Sequence, residues 1–172
     1  MPDNKVEKVA DIKSLIEQLL KTPSISCTAK DIDQGNLGVI QLLAEWFESL
    51  GFHCQVQMLD EKNDKANLIA TSGTGNSGLV LAGHTDTVPF DEDRWQVKPF
   101  AVTEKDNRFY GLGSCDMKSF FAVIIEALKT IDTKKFKQPL IILATADEET
   151  SMSGAKAIAK HASRYGINNA RY

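Results

Sequence analysis

Two apolar runs that end in ionisable residues constrain the fold of this 172-residue chain more than any other feature. The first covers residues 139–146 and ends in the carboxylates Asp147, Glu148 and Glu149. A near-continuous apolar run of this length is typical of a strand covered on both faces. The second covers residues 79–82, and His84 and Asp86 follow it. These runs predict a buried sheet whose strand ends carry the chemistry, as in open α/β proteins.

The rest of the chain predicts a layered α/β arrangement around these strands. Apolar residues recur at helical spacing in four segments, and other segments alternate or cluster as strands do. Helices are predicted at residues 6–20, 37–50, 117–130 and 153–165, and strands at 52–59, 67–71, 79–82 and 139–146, with a hairpin at 101–110. Alternation places His53 on the polar face of its strand, and His161 lies on the last helix, away from the strand ends.

Composition limits the function classes. The chain is 42% hydrophobic and 25% charged with a net charge of −3, so no basic surface predicts a nucleic-acid partner. No apolar run is long enough to cross a bilayer, and the N-terminus lacks the apolar centre of a signal peptide. We therefore expect a cytoplasmic protein. The cysteines, Cys27, Cys54 and Cys115, show no C-x-x-C spacing and are expected to be reduced.

Residues 73–78 contain a literal G-x-G-x-x-G pattern. The dinucleotide fingerprint requires a helix directly after the last glycine, where the helix N-terminus holds the pyrophosphate. Here a predicted strand follows instead. We interpret the segment as a connection between two strands and expect no nucleotide cofactor.

Three separate chain segments send metal-binding side chains toward the strand ends. They contribute His84 with Asp86, then Asp116, and then Glu148 with Glu149. Each has an ordinary alternative: a strand cap for the His-Asp pair, a helix N-cap for Asp116 and an exposed acidic turn for the glutamates. Together, one imidazole and several carboxylates suit zinc or a similar divalent ion. No G-x-S-x-G pattern is present, so water activated by a carboxylate is the expected nucleophile.

The motifs resemble those of the M20 family of metallopeptidases and deacylases. The resemblance rests on residues 84–89 (His-Thr-Asp-Thr-Val-Pro), 113–118 (Gly-Ser-Cys-Asp-Met-Lys) and 147–151 (Asp-Glu-Glu-Thr-Ser), in the family's order and spacing. Within the family, residues 83–90, Arg94-Trp95 and the stretch around Phe120 are most similar to the bacterial acetylornithine deacetylases. The resemblance implies a three-layer α/β/α zinc-peptidase-like fold with a mixed central sheet.

The resemblance also implies a role for each site residue. His84 and Glu149 would each ligate one of two divalent metals, zinc or alternatively cobalt, and Asp116 would bridge them, with a cis peptide bond after it. Asp86 would orient His84, and Glu148 would act as general base and then acid. The implied reaction is hydrolysis of N2-acetyl-L-ornithine to L-ornithine and acetate, a step of arginine biosynthesis, with a small N-acyl amino acid as the substrate.

The resemblance covers only the first part of the family's catalytic domain. We therefore expect residues 1–172 to be its N-terminal portion, without the dimerisation domain and the C-terminal ligands, and to be inactive or nearly so as a fragment. A homodimer is expected for a full-length protein. Two alternatives remain: another amidohydrolase of the family, such as a succinyl-diaminopimelate desuccinylase, dipeptidase or carboxypeptidase, and a short binding module that has lost catalysis.

Overall fold

A computed structural model describes residues 10–75 and 77–167. These residues form four α-helices, two short 3-10 turns at Glu92–Arg94 and Thr133–Lys135, and six strands. The helices are α1 (Ile12–Lys21), α2 (Leu37–Ser49), α3 (Ser119–Leu128) and α4 (Ser153–Lys160), and the strands are β1 (His53–Asp60), β2 (Lys65–Ser72), β3 (Leu79–His84), β4 (Thr103–Lys105), β5 (Arg108–Tyr110) and β6 (Leu140–Thr145).

Four of the strands form a mixed sheet in the order β1-β2-β6-β3. The pairs β1-β2 and β2-β6 are antiparallel, whereas β3 runs parallel to β6. The parallel register sets His84 beside Thr145, so both strands end at the same edge of the sheet. This topology brings the segments that follow β3 and β6 together and thereby positions the candidate site.

Helices cover both faces of the sheet. The larger core lies between the sheet and α1, α2 and α3, with Leu15, Phe47 and Phe121 fully buried. The opposite face packs against α4 and the segment after it through Ile158 and Ile167. All six residues of β6 are buried, as the apolar run predicts. The predicted three-layer α/β/α fold with a mixed sheet is confirmed.

Boundaries of three helices differ from the predictions by more than one residue. Helix α1 begins at Ile12, where the Asp11 side chain accepts the N–H of Ser14; the part of its prediction before residue 10 lies outside the described residues. Helix α3 begins at Ser119 rather than residue 117, so the interpretation of Asp116 as its N-cap is wrong. Helix α4 ends at Lys160, five residues earlier than predicted.

The predicted alternation of β1 holds only at its start. There α2 covers the strand, since the rings of Phe47 and Phe52 lie 5.4 Å apart and the Cys54 thiol donates to the carbonyl of Ala44. Further along, Val56 and Met58 are exposed because β1 is an edge strand that continues past this cover. The β4-β5 hairpin is confirmed. None of the helices in the described part of the chain has the length and hydrophobicity needed to cross a membrane.

Candidate metal centre

The imidazole of His84 lies at the end of β3, only 5% exposed, with its two nitrogens in different surroundings. Nδ1 lies 3.0 Å from the backbone carbonyl oxygen of Asp86 and 3.6 Å from its carboxylate. Because a carbonyl oxygen can only accept, Nδ1 carries the proton of this contact. Binding of a metal at Nε2 requires the neutral ring with this proton on Nδ1, which is the state of a metal-ligating histidine.

The buried Asp86 carboxylate joins the ends of β3 and β6. Its two oxygens accept the backbone N–H groups of Glu148 at 3.2 Å and of Glu149 at 3.1 Å. Burial alone would raise the pKa of Asp86, but His84 and these two amides favour the charged form and lower it overall. Asp86 therefore stays ionised and fixes the polypeptide that carries both glutamates.

Asp116 reaches the site from the loop that precedes α3. Its Oδ1 lies 3.1 Å from His84 Nε2, and its side chain is 75% exposed. The peptide bond between Asp116 and Met117 is cis, as the resemblance implies. Glu148 Oε2 lies 3.9 Å from the same nitrogen. His84, Glu148 and Glu149 each place a ligand atom within 4.8 Å of the others.

Electrostatics favour a cation at this position. Burial would lower the pKa of His84, but Asp86 and, to a smaller extent, Asp116 raise it to about 9. Burial raises the pKa of Glu149; the charge of His84 opposes this shift, and the neighbouring carboxylates of Asp116, Glu148 and Asp86 add to it. Crowded carboxylates around one imidazole are stabilised by positive charge.

The donors fit a divalent metal in chemistry and in distance. Zinc accepts imidazole nitrogen and carboxylate oxygen at about 2.0–2.2 Å, so two ligands of one ion lie about 4 Å apart or closer. The separations here need only small side-chain movements to meet this limit. The chain brings His84, Asp86, Asp116, Glu148 and Glu149 together, whereas His53 and His161 lie exposed on β1 and just after α4.

Two buried lysines beside the site are absent from the sequence-based predictions. Lys65 is 5% exposed and pairs with Asp33 at 2.9 Å and with Asp147 at 2.8 Å. Lys118 is 1% exposed and donates to the Thr22 carbonyl at 2.6 Å and to Ser24 Oγ at 3.2 Å. Burial lowers the pKa of Lys118 to about 7. The three successive carboxylates in the sequence indicated that positive charge lies near them, but they did not identify the residue that carries it.

The fold and the acidic site define a zinc-peptidase-like α/β domain, and solved structures share this fold. Human carnosine dipeptidase 1 matches with a TM-score of 0.74 and 18% identity, over 94% of this chain and 37% of that chain. The di-peptidase Dug1p from Saccharomyces cerevisiae matches with a TM-score of 0.65 and 20% identity, over 88% and 35%. The chain belongs to peptidase family M20/M25/M40, whose sequence profile matches residues 80–171.

Curated relatives of this chain include proteins named acetylornithine deacetylase. That of Proteus mirabilis (strain HI4320) is 55% identical over 152 residues, which are 88% of this chain and 39% of the relative. That of Salmonella typhimurium (strain LT2) is 55% identical over 142 residues, or 83% and 37%. The chain thus spans about two-fifths of the length of the curated relatives it matches.

Proposed function

We propose that this chain forms part of a metal-dependent amide hydrolase that converts N2-acetyl-L-ornithine into L-ornithine and acetate. The observation that carries the proposal is the convergence of one imidazole and three carboxylates, from His84, Asp116, Glu148 and Glu149, at one sheet edge. The identity of 55% to relatives named acetylornithine deacetylase supports this substrate. The proposal includes a place in arginine biosynthesis and in the cytoplasm.

In this proposal, His84, Asp116 and Glu149 hold two divalent ions, with zinc as the proposed metal and cobalt as a substitute. Bound ions supply Lewis-acid chemistry that polarises the acyl carbonyl and lowers the pKa of water. Asp116 has two oxygens and high exposure, both of which suit a shared ligand. Asp86 contributes by holding His84 Nδ1, which fixes the orientation of the ring and the tautomer that leaves Nε2 free.

Glu148 is proposed as the general base and acid. Its backbone is fixed by Asp86 while its carboxylate is 43% exposed and lies near His84 Nε2, so it can face both the site and a substrate. It takes one proton from the attacking water as the water oxygen bonds to the acetyl carbon. When the carbon–nitrogen bond breaks, it returns the proton to the leaving amine. Acetate and ornithine are then released.

The proposal assigns residues 1–172 to the N-terminal portion of the catalytic domain. Two zinc sites that each keep an open position require about six protein contacts. His84, Glu149 and the two oxygens of Asp116 supply about four of these contacts. The remaining ligands, and the dimerisation domain of a proposed homodimer, would belong to protein outside this chain. The coverage of 39% of a relative's length supports this assignment.

Substitution of Glu148 by glutamine in the full-length protein tests the proposal. We expect metal content to stay the same, while kcat for acetylornithine falls by about 10²- to 10⁴-fold, the usual contribution of a general base. Metal is measured by mass spectrometry and ornithine release by amine detection. Glu92→Gln, at an exposed carboxylate on a 3-10 turn, is the matched control and should change neither value.

Three outcomes would contradict parts of this scheme. Loss of metal in Glu148→Gln would make Glu148 a ligand, as its closeness to His84 and Glu149 permits. Undiminished turnover would remove it from proton transfer. Hydrolysis of succinyl-diaminopimelate or of a dipeptide, with acetylornithine left intact, would refute the proposed substrate and leave the amide-hydrolase chemistry in place.

A further inference from the structure

Asp147 adopts a left-handed backbone conformation at the point where β6 ends. Its φ is +58°, and its carbonyl oxygen accepts the N–H of Met152 at 2.6 Å. A side-chain-bearing residue pays roughly 1–2 kcal/mol for this conformation, so its surroundings must hold it there. The turn is what directs the two following residues, Glu148 and Glu149, back toward β3.

Three donors hold the Asp147 carboxylate. Lys65 Nζ lies 2.8 Å from Oδ1, Ser26 Oγ donates to the same oxygen at 3.1 Å, and Ser153 Oγ donates to Oδ2 at 2.8 Å. Lys65 is the only charged one of the three, and it also binds the Asp33 carboxylate at 2.9 Å. Its ammonium group is almost completely buried, so solvent screens this ion pair weakly.

The contacts continue from Asp147 to the centre without a break. The left-handed turn aims the amides of Glu148 and Glu149 at the Asp86 carboxylate, at 3.2 and 3.1 Å. Asp86 in turn holds Nδ1 of His84. Lys65 is therefore connected to all the candidate groups on the β3 and β6 ends although it touches none of them.

We propose that Lys65 is a positioning residue for the metal centre, acting through Asp147; this inference rests on the proposed function. Stability alone gives a poor reason for the lysine, because replacing buried ion pairs by apolar residues is often neutral or favourable. A positioning role explains why the buried cation pairs with the residue directly before the proposed base. Partners that orient metal ligands in this way contribute about 10- to 100-fold to metal affinity.

The test compares Lys65→Met with the unmodified 172-residue chain. Two quantities are measured: the zinc dissociation constant by calorimetry, and hydrogen exchange of the Glu148 and Glu149 amides in metal-free protein by NMR. We expect zinc affinity to fall by about 10- to 100-fold and both amides to exchange faster, while amides in the middle of α2 keep their protection. Lys65→Arg retains the charge and should recover part of both losses.

Lys129→Met is the matched control. Lys129 also pairs with a carboxylate, Glu126 at 2.6 Å, and with a backbone carbonyl, that of Ala10. It follows the last residue of α3, at the opposite end of this helix from Asp116. It should lower stability without changing either readout. Equal behaviour of Lys65→Met and Lys129→Met, with unchanged exchange at Glu148 and Glu149, would overturn the inference.

A second variant keeps the inference testable if Lys65→Met does not fold. Asp147→Asn preserves the shape of the side chain and the tolerance for left-handed backbone, but it removes the ion pair. It should weaken zinc binding in the same range, and wild-type affinity in this variant would refute the positioning role. Absence of zinc binding in the unmodified chain would follow from its incomplete ligand set, and the exchange of the Glu148 and Glu149 amides, which needs no metal, would then decide the inference.

Discussion

His84 carries much of the electrostatic character of the site. Its ring is buried between the Asp86 carboxylate and Asp116, which together outweigh the cost of burying its charge and raise its pKa to about 9. At neutral pH the imidazole of the metal-free protein therefore carries a proton on both nitrogens and is positively charged. The same carboxylates that retain the proton also attract a divalent cation, so proton and metal compete for one position.

The shifted pKa predicts a specific pH dependence of stability in metal-free protein. In unfolded chain the pKa of His84 is 6.5, below the folded value of about 9. The raised pKa therefore stabilises the folded state. This contribution to the unfolding free energy is fully present below pH 6.5, and it is lost as pH rises to 9, because only the folded state binds the extra proton in this range. The difference in unfolding free energy between wild type and His84→Gln should therefore shrink from pH 6.5 to pH 9, measured by urea unfolding with a chelator.

The comparison with a variant is necessary because Lys118 changes the unfolding free energy with pH in the opposite direction to His84. Its folded pKa of about 7 lies below the ordinary 10.5, so its unfavourable contribution diminishes as pH rises above 7. Between pH 7 and 9, the contribution of His84 to the unfolding free energy of the wild type falls while that of Lys118 rises. A constant difference for His84→Gln would show that its pKa is not raised.

The five candidate site residues could be named from the sequence because they follow apolar runs or a glycine-rich turn. Such positions are local features, readable without knowledge of the fold. Lys65 was not predictable in this way, since its partner Asp147 lies 82 positions away and the contact exists only once the sheet has formed. The left-handed conformation of Asp147 is likewise imposed by non-local donors, of which Ser26 lies 121 positions away.

Helix boundaries show how the site competes with local structure. Asp116 and Ser153 are residue types that favour helix N-caps, and an N-cap was the ordinary alternative for Asp116. In the structure, Asp116 lies at hydrogen-bond distance from His84, and Ser153 Oγ donates to Asp147. The N-cap positions of α3 and α4 are instead occupied by Lys118 and Met152, neither of which makes a side-chain cap. The existence of the strands and the middle parts of the helices were predictable because their periodicity is a local property of the sequence. The first residues of α3 and α4 instead depend on tertiary contacts.

Close packing at the start of α4 predicts a strong effect of Gly154→Ala. A Cβ there would lie 2.5 Å from Asn67 Oδ1 and 2.6 Å from the backbone of Ala146, neither of which can move freely. We expect a loss of unfolding free energy toward the upper end of about 1–3 kcal/mol, the range for overpacking. Urea unfolding monitored by circular dichroism gives the value.

Gly51→Ala is the control that separates crowding from backbone strain. Gly51 follows α2 with a φ of +83°, and an added Cβ there meets no atom within 4 Å. Its substitution should cost about 1–2 kcal/mol through left-handed strain alone. If Gly154→Ala were as stable as wild type, the described approach between α4 and the sheet would be incorrect.

At the scale of the whole molecule, strand order was not predictable from the sequence. The segment with the G-x-G-x-x-G pattern links β2 to β3, which suggests neighbouring strands. Instead β6, much later in the chain, inserts between them. Sheet order follows from which apolar faces can be covered together, and β6 is the strand that needs cover on both faces.

This order leaves β3 at one edge of the described sheet, next to an exposed apolar surface formed by Leu79, Val123 and Ile131. These side chains are 46%, 54% and 46% exposed. A free strand edge beside an apolar surface promotes association between chains, through backbone pairing and apolar burial. We therefore expect the 172-residue chain to self-associate as its concentration rises, with the weight-average sedimentation coefficient increasing accordingly.

Val123→Lys should reduce this association, because a charge at the centre of the surface must be desolvated when two chains meet. The matched control is Val88→Lys, which places the same charge at a valine of similar exposure, 46%, outside this surface. It should sediment like the wild type. Equal association of the wild type and Val123→Lys would show that contacts form elsewhere, and a wild type that remains monomeric at all concentrations would show that the β3 edge is protected in solution.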